Sequence, residues 1–287
     1  MEMFNKYCFI GCEDNFEESK LVIFGAPFDG TCTFRPGSRF APYKIRIDSY
    51  GLETYSPYFN RDLLDYKIHD AGDIDIPFGN TISTLKKIKD FSKTIINNNK
   101  KPLMIGGEHL VTLPVVEALY EKYSDLILLH FDAHTDLRDD YMGEVLSHST
   151  VIKKIWNFLG DNRIFQFGIR SGLREEFEWA EKEGHTFINK FNYDKLKDVV
   201  NLIKDKPVYV TIDLDILDPS VFPGTGTPEP GGISFNDMIN ILKTIDSLNI
   251  IGADIVELAP DYDPTGVSTA VASKVLRELI LILANKK

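Results

Sequence analysis

Cysteine is scarce in this 287-residue chain: only Cys8, Cys12 and Cys32 occur, all close to the start. An odd, irregularly spaced trio is not a disulfide framework, and Cys8 and Cys12 lack two obvious partners for a metal. The three read as reduced thiols of a cytoplasmic protein. Positive charge is also short, with 32 Lys and Arg against 43 Asp and Glu, a net charge of −11 and a pI near 5.1. That balance argues against nucleic acid, whose phosphates recruit Lys and Arg, and it does not repel a cationic substrate. Long apolar runs are missing. The stretch Leu279 to Ala284 is typical and far too short to span a bilayer. Glu2, Lys6, Glu13 and Asp14 break up the start of the chain, so no signal peptide is visible. There is no internal repeat, low-complexity tract or long Pro/Gly/Ser linker. With 43% hydrophobic and 26% charged residues the composition suits a soluble globular protein, read as a single domain over residues 1–287.

What is present is an alternation of short apolar runs and longer segments with helical spacing. The runs are Leu21–Phe24, Leu103–Ile105, Leu126–Phe131, Ile164–Ile169, Val208–Ile212 and Ile250–Val256. Each is apolar on both alternating sets, as expected of strands covered on both faces. The helical segments are Thr81–Asn97, Val111–Tyr123, Ser147–Phe158, Leu173–Glu183, Tyr193–Lys204, Phe235–Leu248 and Ser268–Ala284. Ser234 with Asp237 has the spacing of a capping box. This alternation predicts an α/β protein with a mostly parallel sheet, either an open three-layer sheet or a closed barrel.

The ligand-type residues are not scattered. His109 ends Gly106-Gly107-Glu108-His109, just after one predicted strand. The run Asp132-Ala133-His134-Thr135-Asp136 follows a second strand, and Asp213-Leu214-Asp215 follows a third. In a parallel sheet the C-terminal strand ends open into one crevice, so the three segments converge. Residues i, i+2 and i+4 of extended backbone face together, which groups Asp132, His134 and Asp136, and likewise Asp213 and Asp215. Four carboxylates in one crevice repel unless cations neutralise them, and two divalent ions would balance the charge. Such oxygen-rich ligation suits Mn²⁺ better than a closed tetrahedral Zn²⁺ site. His130, inside its strand, is read as a packing residue or a support for the ligands. His69 and His185 have no ligand-type neighbours at suitable spacing.

These segments, with Ile212-Asp213-Leu214-Asp215-Ile216-Leu217-Asp218-Pro219, resemble the signatures of the ureohydrolases, the arginase and agmatinase family. Gly25-Ala26-Pro27-Phe28-Asp29-Gly30, Arg35-Pro36-Gly37 and Val256-Glu257-Leu258-Ala259-Pro260 extend the resemblance over nearly the whole chain. It implies a three-layer α/β/α sandwich with a central, mostly parallel sheet, and two Mn²⁺ ions per subunit. His109, Asp132, Asp136 and Asp213 would hold one ion, and Asp132, His134, Asp213 and Asp215 the other. It also implies a homo-oligomer, trimer or hexamer.

Within the family, the arm Pro223-Gly224-Thr225-Gly226-Thr227-Pro228-Glu229-Pro230-Gly231-Gly232 and Pro27-Phe28-Asp29 are more similar to agmatinases than to arginases. The loop after Leu137 carries Asp139, Asp140 and Glu144, with Arg138 its one base. That suits a small cationic guanidine with an amine tail, so agmatine is the expected substrate and urea and putrescine the expected products. The alternatives are 4-guanidinobutyrate, which would want Arg138, arginine, or a catalytically silent metal-binding homologue. Glu257 is expected to orient the guanidinium, Asp136 to protonate the leaving amine, and His148 to shuttle protons. One position departs from the agmatinase pattern: Ser149 follows His148 where Gly is usual.

Overall fold

The computed structural model describes residues 7–285. Eight strands form one sheet: β1 (Leu21–Ala26), β4 (Ile68–Asp73), β5 (Lys101–Gly106), β6 (Ile127–Phe131), β7 (Ile164–Phe167), β8 (Phe187–Asn189), β9 (Pro207–Asp213) and β10 (Asn249–Val256). A two-stranded hairpin, β2 (Tyr55–Ser56) with β3 (Arg61–Asp62), stands apart. The order across the sheet is β4-β1-β5-β10-β9-β6-β7-β8, and every pairing in it is parallel. The helices are α1 (Ala41–Ser49), α2 (Thr81–Asn97), α3 (Thr112–Tyr120), α4 (Val151–Leu159), α5 (Arg174–Glu181), α6 (Tyr193–Ile203), α7 (Phe235–Ile245) and α8 (Val267–Ala284).

Alternation along each strand sorts the core into two layers. Ile23, Leu103, Leu129, Val210 and Ile212 pack on one face with α1, α6, α7 and α8. Val22, Phe24, Met104, Leu128 and Tyr209 pack on the other with α2, α3, α4 and α5. The sheet is thus an open three-layer α/β/α sandwich, and the barrel alternative falls away.

The runs buried on both faces were the legible strands. Among the strands of the main sheet and the α-helices, three were not. β4 reads Ile-His-Asp-Ala-Gly-Asp, too polar for a strand rule. Its buried Asp70 is neutralised by Arg46 of α1 through Nε at 2.7 Å and Nη2 at 2.9 Å. β8 is a three-residue edge strand, and α1 has little amphipathic pattern and a proline in its first turn. The Ser234–Asp237 capping box is present at the start of α7. Among the described residues no helix is long and apolar enough to cross a membrane.

Candidate metal centre and active site

The four central strands, β5, β10, β9 and β6, are neighbours, and each delivers site residues from its C-terminal end. β5 leads into His109, β10 into Glu257, β9 ends on Asp213 and β6 leads into Asp132. Burial of the strands therefore fixes the site from below.

His109 is buried. Its Nε2 lies 2.9 Å from the Thr211 hydroxyl, which in turn lies 3.5 Å from the Thr112 hydroxyl. Because Thr112 gives its own proton to Asp254 Oδ2 at 2.8 Å, Thr211 donates toward Thr112. Thr211 thus accepts from Nε2–H, which leaves the Nδ1 lone pair facing the crevice. Nδ1 has no hydrogen-bond partner. It lies 3.1 Å from Asp132 Oδ2, 3.2 Å from Asp136 Oδ2 and 3.3 Å from Asp213 Oδ2. An orphaned buried nitrogen aimed at three carboxylate oxygens is a costly arrangement without a cation between them and a favourable one with it. On the adjacent side His134 Nδ1 lies 3.0 Å from Asp215 Oδ2 and 3.5 Å from Asp132 Oδ1. The donor set fits hard divalent cations bound through oxygen and imidazole, and the two clusters sharing Asp132 are compatible with a binuclear site.

The backbone reaches this convergence by turns rather than by continued strand. β6 stops at Phe131, and Asp136 sits at φ 51°. Its carbonyl accepts from the Ile152 and Lys153 amides at the start of α4. Asp215 lies in a short 3-10 turn, its amide donating to Asp213 Oδ1 at 2.9 Å. The i, i+2, i+4 argument grouped residues that the structure does bring together, while the geometry that gathers them is turn geometry.

Electrostatics follow from this crowding. Burial, with the charges of Asp215 and Asp132 beside it, pushes the Asp213 carboxyl well up. Burial works the same way on Asp132, but His130, His109 and His134 outweigh it and hold that carboxyl well below its ordinary value. His130 gives Asp132 Oδ2 a contact of 2.7 Å through Nε2, and its Nδ1 meets the Gln166 amide at 3.0 Å. Since that amide nitrogen can only donate, His130 donates from Nε2 and supports Asp132 from behind rather than ligating.

Glu257 follows β10 at φ 64°. Its Oε1 accepts from the His109 amide at 2.8 Å, and its own amide donates to the Gly107 carbonyl at 2.9 Å. Burial, then the nearby Glu108 charge, raises its carboxyl well above the usual range. His148 lies in a 3-10 turn ahead of α4 rather than inside the helix. Its Nδ1 is 3.0 Å from the Thr31 carbonyl, and burial lowers its imidazole below the ordinary value.

A cavity of about 310 Å³ opens over these groups. Its walls include His109, His134, Asp136, Asp213, Glu257 and His148. Arg138, Tyr141, Ser149, Leu173 and Phe34 line it too. The acidic loop does not behave as expected, because Asp139, Asp140 and Glu144 are absent from this lining. Asp139 points to solvent, 3.6 Å from Lys153 Nζ, while Lys154 donates to its carbonyl at 2.7 Å. Arg138, stacked 4.4 Å over the Tyr141 ring, is the loop residue that faces the cavity with Tyr141. His69 and His185 stay outside the site, held by the Asp14 carbonyl and by Asp161 respectively.

Two supports escaped sequence reasoning. Arg170 gives its Nη2 to the Asp215 carbonyl at 2.8 Å and to the Glu229 carbonyl at 2.7 Å, pinning the proline-glycine arm beside a ligand. Glu176 accepts from the Thr135 hydroxyl at 2.8 Å and the Leu137 amide at 3.0 Å. Partners that are mostly backbone leave no pattern in a sequence.

Fold and donors together define the class: a parallel α/β/α protein with a buried His/Asp centre for divalent cations at the carboxyl edge of its sheet. Residues 19–282 match the arginase family model. The chain belongs to the arginase family and is a hydrolase of guanidino C–N bonds. It is 47% identical over 285 residues to an agmatinase of Bacillus cereus, covering 98% of this chain and 97% of that protein. It is likewise 47% identical over 283 residues to the agmatinase of Bacillus subtilis, with 98% and 97% covered. A solved structure from Clostridium difficile, described provisionally as an agmatinase, is 55% identical with a TM-score of 0.92, covering 94% of this chain and 99% of that one.

Proposed function

We propose that this chain hydrolyses agmatine to urea and putrescine with two Mn²⁺ ions per subunit. His109, Asp132, Asp136 and Asp213 would hold one ion, and Asp132, His134, Asp213 and Asp215 the other. The observation that carries the reading is the orphaned His109 Nδ1 beside three carboxylate oxygens, in a chain so similar to agmatinases. When bound, such ions supply Lewis acidity and make hydroxide available near neutral pH.

The chain's own residues do the rest. Glu257, anchored through Oε1 by the His109 amide, receives the cationic guanidinium, whose charge offsets the cost of ionising a buried carboxyl. That contact fixes the planar group for attack at carbon. As the carbon–oxygen bond forms, the Asp136 carboxylate would take up the proton that the attacking oxygen gives up and pass it to the alkyl nitrogen as that nitrogen's bond to carbon breaks. His148, neutral by virtue of its burial, exchanges the proton with solvent.

A second reading has its own observation. Arg138 lines the cavity while the loop acids do not, and a guanidinium there suits the carboxylate tail of 4-guanidinobutyrate. Urea release with Mn²⁺ from agmatine, arginine and 4-guanidinobutyrate, run side by side, decides between them. Agmatine is expected to give the highest kcat/KM, and a clear preference for either carboxylate-bearing substrate overturns the assignment. A trimer or hexamer in the cytoplasm completes the reading. Exposed Phe40, Tyr43 and Tyr50, on and beside α1, support a face covered by another subunit, and the cysteines, all thiols, suit a reducing compartment.

A further inference from the structure

The loop from residue 28 to residue 37 is tied to the turn after β5 by a buried acid, Glu108. Glu108 is fully buried one residue before a metal-site histidine. It turns away from the crevice. Its Oε2 accepts from the Thr31 amide at 2.8 Å and its Oε1 from the Thr31 hydroxyl at 2.5 Å. The Cys32 thiol sits among acids that include this carboxylate, and burial, then the charges of Glu257 and Glu108, push it up. Thr31 in turn grips His148 twice: its hydroxyl oxygen accepts from the His148 amide at 3.1 Å, and its carbonyl lies 3.0 Å from His148 Nδ1. A carbonyl only accepts, so the contact demands a proton on Nδ1. The other ring nitrogen, Nε2, is then the one left for proton exchange in the cavity that His148 lines. The loop is held from its far side by Asp29, which accepts from the Gly37 amide at 2.9 Å and pairs with Arg39.

We propose that Glu108 and Thr31 form a positioning pair that locks His148 in its Nδ1-protonated tautomer and leaves Nε2 free to carry protons for the reaction. Neither residue touches the reacting atoms. The role is exerted through His148, and it rests on the reading of His148 as the proton carrier. The hydroxyl of Thr31 is the hub: it donates to Glu108 and accepts from His148, so removing it frees both ends at once.

The test uses the full-length chain and two variants of the hub, Thr31→Val and Thr31→Ser, with Glu108→Gln as a third. The chain has only six histidines, so magic-angle-spinning spectra of 15N-histidine-labelled protein, loaded with Mg²⁺ to avoid paramagnetic broadening, resolve the His148 ring nitrogens. The His148→Asn variant assigns them. Wild type and Thr31→Ser are expected to show Nδ1–H alone, whereas Thr31→Val and Glu108→Gln show mixed tautomers. With Mn²⁺ bound, kcat for urea release should fall roughly ten- to a hundredfold in Thr31→Val and Glu108→Gln, part of what a positioned acid–base group supplies. KM and metal content should stay near wild type, and Thr31→Ser should retain full turnover. An unchanged tautomer in both Thr31→Val and Glu108→Gln overturns the proposal, as does a loss of kcat in step with loss of metal. So does a Thr31→Ser variant as slow as Thr31→Val, because only packing would then be at stake. Should wild type release no urea from any guanidine while the tautomer still responds to Thr31→Val, the functional reading fails and the positioning pair stands.

Discussion

Glu257 occupies the left-handed region at φ 64° although it is not glycine, a conformation that costs of order 1 kcal/mol or more and persists only where neighbours enforce it. Here the enforcers are the Gly107 carbonyl, which accepts from its amide, and the His109 amide, which donates to its side chain. Its carboxylate is thereby aimed beside the metal cluster without joining it. Glu257→Gln keeps the shape and the hydrogen bond but removes the charge that would meet a guanidinium. It is expected to retain full metal content and to lose about 1.5–3 kcal/mol of transition-state binding, roughly ten- to a hundredfold in kcat/KM. An unchanged kcat/KM would end the orienting role. At this scale the sequence was most informative where a residue follows an apolar run. His109, Asp132, Asp213 and Glu257 all lie at or just past strand ends, and that placement alone gathers them. It was least informative where a side chain works through distant backbone, as Thr31 does on His148 across more than a hundred positions. It misled where acidity alone was read as purpose. Asp139 lies in solvent beside Lys153 and Lys154 and does not line the cavity.

At the scale of elements, the crossing of the loop after β1 over the turn after β5 decides whether the site forms. A Cβ added at Gly107 would lie 1.9 Å from the Phe28 carbonyl oxygen, backbone that cannot swing aside. That same carbonyl accepts from the Glu108 amide at 2.7 Å, so the close approach is itself hydrogen-bonded. Gly107→Ala must push the loop carrying Thr31 away from the turn carrying Glu108 and His109. Overpacking of this kind costs about 1–3 kcal/mol. The expected outcome is a lower denaturant midpoint together with weaker Mn²⁺ binding, read by urea titration and by metal analysis. A variant with unaltered midpoint and metal affinity would show that the crossing is not what holds His109. The strands that carry the site were readable because burial on both faces makes them continuously apolar. α1 and β4 were not, because they stabilise each other through the buried Arg46–Asp70 pair, and such pairing only exists once the fold does. A hydrophobic rule reads a charge as surface, and here it is interior.

For the whole molecule, the centre sets carboxylates against folding until cations arrive. The chain already carries a net charge of −11, and Asp132, Asp213 and Asp215 are all buried. Burial and like charge push Asp213 well up, which means the metal-free fold tolerates its ionised form poorly. Divalent cations that bind the native centre and not the unfolded chain stabilise it by mass action, about 2.7 kcal/mol at a hundredfold excess over Kd. At about 2–4 °C per kcal/mol for chains near this size, Mn²⁺ should raise Tm by at least about 5 °C, and a chelator should reverse the gain. Asp213→Asn separates repulsion from coordination. It removes a charge that opposes folding without metal and a ligand shared by both proposed ions. Its metal-free Tm should therefore equal or exceed that of the wild-type chain, while the Mn²⁺-dependent rise largely disappears, so the two melting curves cross as metal is added. If Asp213→Asn gained as much from Mn²⁺ as wild type, Asp213 could not bridge the ions. If its metal-free form melted several degrees lower, the carboxylate would be structural, held by the Asp215 amide it accepts from, rather than kept for cations.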